Sequence, residues 1–202
     1  MTKGKSVYFF IMTMMFWYAT CTFNPIISPY AAELNATGVM IGLIGGAYGI
    51  SQTVLRIPLG FLSDKTDKRK IFILIGTLCS GIAGLIVVLF RSPMSLFLCR
   101  IMTGVQAATW VQLTVLYSSM CKPEEAGKAM ALMVTACSAG KMLASLTGGF
   151  ASELYGYTAP FWMMIPACVI AFVMCFGLKD VKLRRTTDKI RISELLKRSF
   201  QR

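Results

Sequence analysis

The chain alternates long apolar runs with short polar segments. The runs cover approximately residues 6–28, 38–59, 71–90, 94–120, 129–151 and 159–178. At about 1.5 Å of rise per helical residue, each run is long enough to cross a hydrocarbon core roughly 30 Å thick. A soluble domain of this size does not need so many long apolar runs. The pattern therefore predicts an all-α membrane protein with six transmembrane helices, called the first to sixth spans below.

Positive charge is concentrated in alternate connections between these spans. The connection after the second span contains Lys65, Lys68, Arg69 and Lys70, whereas the connection after the third span contains only Arg91. Lys and Arg accumulate on the cytoplasmic side of multi-pass proteins. Both termini are therefore predicted to be cytoplasmic, in a plasma (inner) membrane protein embedded in the lipid bilayer. The net charge of +12 follows the same distribution, so it does not indicate a nucleic-acid partner.

The charge pattern also divides the chain into two parts. Residues 1–178 are predicted to form a six-helix transmembrane domain, and residues 179–202 a basic cytoplasmic tail. The last part of this tail, from about residue 190 to residue 200, is amphipathic, which is typical of segments that lie on anionic lipid.

Side chains typical of enzymes and metal sites are scarce. The sequence has no histidine, and its seven cysteines lie mostly within apolar runs, at spacings that match no metal site. No carboxylate lies deep in a span, and no nucleophile has a base at a useful spacing. We therefore predict no enzymatic activity, no metal and no cofactor.

A few polar side chains lie within the spans, where such groups are costly and usually face a cavity or another helix. The candidates for lining a solute cavity are Asn24, Tyr48, Gln52, Arg100, Ser138, Lys141 and Ser145. Lys141 is near the middle of the fifth span, and Ser138 and Ser145 share its helical face. Alternatives remain open: Asn24 could bond to the nearby proline-kinked backbone, Arg100 could reach outward to the membrane surface, and Lys141 could pair with a carboxylate or be deprotonated.

Glycine and proline positions predict two backbone features. Gly42, Gly45, Gly46 and Gly49 recur along the second span at three- and four-residue spacing. This spacing predicts a smooth face for close helix packing. Asn24 and Pro25 are predicted to interrupt the outer end of the first span, because proline cannot donate a helical hydrogen bond.

The polar connection from Gly60 to Lys70 resembles the signature between helices 2 and 3 of the major facilitator superfamily. That signature reads Gly-x-x-x-Asp-(Arg/Lys)-x-Gly-(Arg/Lys)-(Arg/Lys). The matching residues are Gly60, Asp64, Lys65, Lys68 and Arg69. Asp67 occupies the position of the family's second glycine, and Asp tolerates a positive φ better than most residues. A generic cytoplasmic loop would explain the basic residues but not Gly60 and Asp64.

Two further segments are similar to signatures of the same family. Arg100, followed by Gly104 and small residues, resembles the family's helix-4 signature. Gly148 and Gly149 resemble the end of a helix-5 signature of antiporters, but Ala144 and Ser145 replace its Gly-Pro pair. The second match is therefore incomplete, which weakens the argument for drug/proton antiport.

The resemblance implies one half of a twelve-span architecture, built from two inverted three-helix repeats. It implies a transporter that works by alternating access, with a missing C-terminal six-helix half or a second copy as partner. Asp64 and its basic neighbours would then lock the cytoplasmic side against that partner.

The buried charges are cationic, at Arg100 and Lys141, which favours an organic or phosphorylated anion as the small solute. One alternative is half of a multidrug or sugar efflux proton antiporter. Others are a non-transporting scaffold or sensor subunit and a truncated fragment.

Overall fold

A computed structural model describes residues 3–178 and residue 180, and within them every regular element is helical. The helices are α1 (Lys3–Cys21), α2 (Ile27–Glu33), α3 (Gly38–Thr66), α4 (Arg69–Leu89), α5 (Pro93–Ala108), α6 (Trp110–Ser119), α7 (Ala126–Tyr155) and α8 (Ala159–Phe176). The pairs α1–α2 and α5–α6 form the first and fourth spans, so the described chain has six helical segments long and apolar enough to cross a membrane. The predicted fold class is confirmed, whereas the predicted tail lies outside the described residues except for Asp180.

Two spans are interrupted, and only one interruption was evident in the sequence. The first span breaks at a short 3₁₀ turn, Asn24–Ile26, as the Asn24-Pro25 pair predicts. The fourth span breaks at Thr109, whose hydroxyl donates to the Gln106 carbonyl at 2.7 Å and whose backbone N–H donates to the same carbonyl at 3.0 Å. These i→i+3 bonds tighten the turn and separate α5 from α6.

The connection between α3 and α4 is shorter than the sequence suggested. Residues 60–70 were predicted to form a loop, but α3 continues through Thr66 and only Asp67 and Lys68 lie outside the helices. The segment contains no proline after Pro58 to stop the helix. Asp67 ends it with a left-handed backbone, φ 53°, a conformation that Asp tolerates better than most residues.

The bundle core lies in three layers along its length. One end of the bundle, called the basic end here, contains the start of α1, the α3–α4 and α6–α7 connections, and the end of α8. The layers include Phe9 and Tyr117 near the basic end, Phe16 and Ala144 in the middle, and Phe23 and Phe161 near the opposite end. The first span packs on α7 and α8, whereas α5 packs on α3 and α4.

The second and fifth spans are poorly covered within the chain. In their most apolar stretches, only 11% of α3 and 28% of α7 is buried, compared with 56% of the first span. The prediction that the α3 glycines pack closely was wrong for this chain. A Cβ placed on Gly42, Gly45 or Gly49 would meet no atom within 4 Å in the part of the chain that the structure describes. The helix instead buries its other side through Ile44 and Ala47.

Candidate functional site

Arg100 points toward the first and second spans. Its Nη1 donates to Asn24 Oδ1 at 2.9 Å, and its Nε and Nη2 donate to the backbone carbonyls of Ile44 and Gly45 at 3.3 and 3.4 Å. Asn24 lies at the break in the first span, and its side chain bonds to the guanidinium rather than only to the local backbone. Arg100 therefore links three spans near the end of the bundle opposite the basic end.

Aromatic rings complete the surroundings of Arg100. Its Cζ is 4.8 Å from the centroid of the Tyr48 ring and 5.9 Å from that of Phe23. These distances suit cation–π attraction. Gly104 permits this arrangement, because a Cβ there would lie 2.8 Å from the Tyr48 carbonyl oxygen. The hydrogen-bond and ring partners of Arg100 among the described residues are neutral, so they do not cancel its charge.

Lys141 lies on the exposed side of α7, above an aromatic ring of the first span. Its Nζ is 4.0 Å from the centroid of the Trp17 ring. Trp17 is 4% exposed and contacts the Trp110 ring edge-on, with 5.5 Å between the centroids. Trp17 therefore provides a rigid surface beneath the ammonium group. No salt bridge to Lys141 occurs among the described residues.

The two cations flank the same part of the first span. Arg100 donates to Asn24 and Lys141 lies over the Trp17 ring, and both of these partners belong to the first span. Ser138 and Ser145 are exposed on α7, to either side of Lys141, and Gln52 is partly buried one turn beyond Tyr48. The predicted cavity residues thus follow one side of the bundle, formed by the first, second, fourth and fifth spans. These residues form an open surface, called the wall below, rather than an enclosed site.

Two contributors to this wall were not among the candidates from the sequence. Trp17 was not singled out because only the fold brings it beneath Lys141. Gln106 is fully buried, where its Nε2 donates to the Phe16 carbonyl at 3.1 Å and its Oε1 accepts from Thr20 at 2.9 Å. These bonds fasten α5 to α1 below Arg100. A glutamine in an apolar span was the available signal for it.

The signature residues gather at the basic end. Asp64 in the last turn of α3 accepts from Arg69 Nη2 at 2.6 Å; the Arg69 side chain is 4% exposed and that of Asp64 is 70% exposed. Lys65 and Lys68 are exposed, and a Cβ on Gly60 would meet none of the described residues within 4 Å. Arg69 is therefore a partner of Asp64 within the chain. The contact predicted between Asp64 and a second half stays a prediction.

Comparison with known proteins gives a consistent result. The Major Facilitator Superfamily model matches residues 9–200. An uncharacterised MFS-type transporter of Methanocaldococcus jannaschii is 30% identical over 173 residues, which cover 85% of this chain and 45% of that protein. The quinolone resistance protein NorA of Staphylococcus aureus is 26% identical over 165 residues, which cover 81% of this chain and 42% of NorA. The chain thus spans less than half the length of these relatives.

The fold also matches a solved transporter structure. The POT family transporter PepTSo superimposes with a TM-score of 0.72 at 14% identity, covering 88% of this chain and 37% of that one. At this identity the match concerns the fold alone.

Proposed function

The chain belongs to the Major Facilitator Superfamily, and from this premise we propose that it is the N-terminal six-helix half of a transporter that moves a small solute by alternating access. The observation that carries the proposal is the wall of polar side chains described above, in which Arg100 links three spans near the end of the bundle opposite the basic end. Discontinuous helices beside a central site are common in such transporters. The breaks at Asn24 and Thr109 are of this kind.

The partner of this half is a second six-helix unit, either a C-terminal half or a second copy. The support is the exposure of α3 and α7, whose apolar faces are unsuited to lining a water-filled cavity by themselves. Among the described residues nothing occupies the space where a side chain would begin on Gly42, Gly45 and Gly49, so this face of α3 is a surface that another helix can approach closely. The matched relatives are also more than twice the length of the aligned segment.

The membrane is the plasma (inner) membrane, and both termini are cytoplasmic. The support is the charge of the connections, because the basic end contains Lys65, Lys68 and Lys128 whereas the opposite end contains only Arg91 among the described basic residues outside the spans. A reporter that is active only in the cytoplasm should therefore be active when it is fused after residue 67. A reporter that is active only on the outer side of the membrane should be inactive there.

The solute is an organic or phosphorylated anion. Arg100 and Lys141 present two positive charges to one side of the bundle, and their hydrogen-bond and ring partners among the described residues are neutral groups. Away from water, such charges attract an anion more strongly than they do in bulk solvent. An anion between them would contact Tyr48 or Trp17 as well.

A second candidate is efflux of cationic or aromatic drugs. Its support is the similarity to NorA, a quinolone resistance protein, together with the rings of Trp17, Tyr48 and Phe23 along the wall. Aromatic rings bind organic cations well. The two positive side chains beside these rings favour the anion.

Transport assays separate the two candidates. The assay uses membrane vesicles from cells that express the chain together with its neighbouring genes. We expect saturable uptake of a labelled dicarboxylate or sugar phosphate by these vesicles and no movement of ethidium. Vesicles that lack the chain are the control. Ethidium movement without anion uptake would support the drug exporter instead, and movement of neither would contradict both.

Replacing Asp64 by Asn should lower the maximal transport rate roughly fivefold. Coupling free energies between sites are typically about 1–3 kcal/mol, and a fivefold change corresponds to the low end of this range. Asn preserves the shape of the side chain but removes the charge that pairs with Arg69 at 2.6 Å. The half-saturating solute concentration should change little, because Asp64 lies at the basic end, away from Arg100 and Lys141.

Asp67→Asn is the matched control for this variant. It removes one negative charge from the same connection, and Asn tolerates the left-handed backbone that residue 67 adopts. Transport by Asp64→Asn at the full wild-type rate would show that the lock hypothesis is wrong.

A further inference from the structure

The start of α4 lacks a local cap. The preceding residue, Lys68, makes no side-chain capping bond, and the first turn contains Arg69 and Lys70 but no acidic residue. A helix N-terminus has unbonded N–H groups and a partial positive charge. Basic side chains in this turn are therefore unfavourable unless a group from elsewhere compensates for them.

Asp180 supplies the missing acceptor from another part of the chain. Its Oδ1 accepts from the backbone N–H of Lys70 at 2.9 Å, although 110 residues separate the two. This bond does what an N-cap side chain normally does. It also places a carboxylate at the positive end of the α4 dipole.

The end of α8 shows the complementary arrangement. Its last turn contains no basic residue. The Lys70 ammonium donates to the Phe176 carbonyl at 2.7 Å and lies 5.6 Å from the centroid of the Phe176 ring. A cation thus binds a terminal carbonyl at the negative end of the α8 dipole.

We propose that Asp180 and Lys70 form a reciprocal clasp between the two helix ends, and that Asp180 is a positioning residue for the Asp64–Arg69 pair. Asp180, four residues beyond the end of α8, caps α4, and Lys70 of α4 caps the end of α8. The clasp holds the backbone at Lys70, and the neighbouring residue Arg69 pairs with Asp64. A displacement of the chain that follows the sixth span is therefore passed directly to the signature residues. The positioning role rests on the proposed transport function, whereas the clasp itself does not.

Amide hydrogen exchange tests the clasp without any transport measurement. In Asp180→Ala, amide exchange in residues 69–72 should be about tenfold faster than in the wild type. Loss of an N-cap destabilises the first turn of a helix, so the fraction of time that this turn is open should rise by a factor of this order. Asp180→Asn should exchange nearly as slowly as the wild type, because Asn caps helices as well as Asp does. Glu124→Ala is the matched control, since it removes an exposed carboxylate from the same end of the bundle. Unchanged exchange in Asp180→Ala would overturn the clasp.

Lys70→Met separates the two halves of the clasp. It removes the ammonium but retains the backbone N–H that Asp180 binds, so exchange should rise in residues 176–178 more than in residues 69–72. A rise confined to residues 69–72 would contradict the assignment of Lys70 to the end of α8.

Transport kinetics test the positioning role. Asp180→Ala should lower the maximal rate about fivefold at an unchanged half-saturating concentration, and Asp180→Asn should restore it, whereas a general loss of stability would lower the amount of folded protein instead. Faster exchange with an unchanged maximal rate would overturn the positioning role. If the wild type moves no solute, the proposed function fails, and the exchange of residues 69–72 still decides whether the clasp exists.

Discussion

Replacing Lys141 by alanine is expected to lower anion uptake roughly tenfold to a hundredfold. A hydrogen bond to a charged group contributes about 1.5–3 kcal/mol, and losing it lowers uptake by a factor of this order. The ammonium lies 4.0 Å from the centroid of the Trp17 ring and faces the open side of α7. It is therefore held in place by an apolar surface while its charge stays available to a solute. The half-saturating concentration should rise, because the interaction already exists in the bound ground state.

Two variants make the Lys141 result specific. Lys141→Arg retains the charge and can stack on Trp17, so it should keep most of the uptake. Lys128→Ala removes an exposed cation from the first turn of the same helix and should change nothing. The amount of each variant in the membrane has to be measured alongside uptake. Equal anion uptake by Lys141→Ala and the wild type would refute the role proposed for Lys141 and weaken the case for an anionic solute.

The features that could be predicted from the sequence are those that depend on neighbouring residues. Hydropathy summed over the length of a helix predicted the six spans, because the free-energy cost of exposing polar groups to lipid accumulates along a single segment. The break at Asn24-Pro25 and the left-handed conformation of Asp67 are also local, since each follows from the conformational limits of one or two residues.

The features that escaped prediction depend on residues far apart in the chain. Lys141 was an obvious candidate, but only the packing of α7 on α1 places Trp17 beneath it. The same holds for Gln106, whose partners belong to the first span, and for Asp180, which caps a helix 110 residues earlier. A side chain's own segment indicates that it needs a partner but does not identify the partner.

The glycines of the second span show a related limit. Their spacing correctly indicates a smooth helix face, but it does not say which neighbour covers that face. Within the chain, α3 packs through Ile44 and Ala47, and Gly42 and Gly45 are left facing outward. The pattern that suggested internal packing therefore becomes an argument for a partner, because a smooth apolar face suits the approach of another helix.

Replacing Gly148 by alanine should disrupt the packing of α7 on the first span. A Cβ at this position would lie 1.8 Å from the Thr22 carbonyl oxygen and 2.9 Å from its carbonyl carbon. Both atoms are backbone, so they cannot rotate away as a flexible side chain would. Overpacking of this kind typically costs about 1–3 kcal/mol, and Thr22 lies just before the Asn24 break that helps to position Arg100. We expect the melting temperature in detergent to fall by roughly 2–12 °C.

Gly149→Ala provides a matched control one residue away, because a Cβ there would meet nothing within 4 Å. Both substitutions add one methyl group to the same helix and raise its intrinsic helix propensity equally, so this contribution cancels in the comparison. The difference between the two melting temperatures therefore measures the contact with Thr22 alone. Equal melting temperatures would mean that α7 does not approach the first span this closely, and the placement of Lys141 above Trp17, which depends on the same packing, would fail as well.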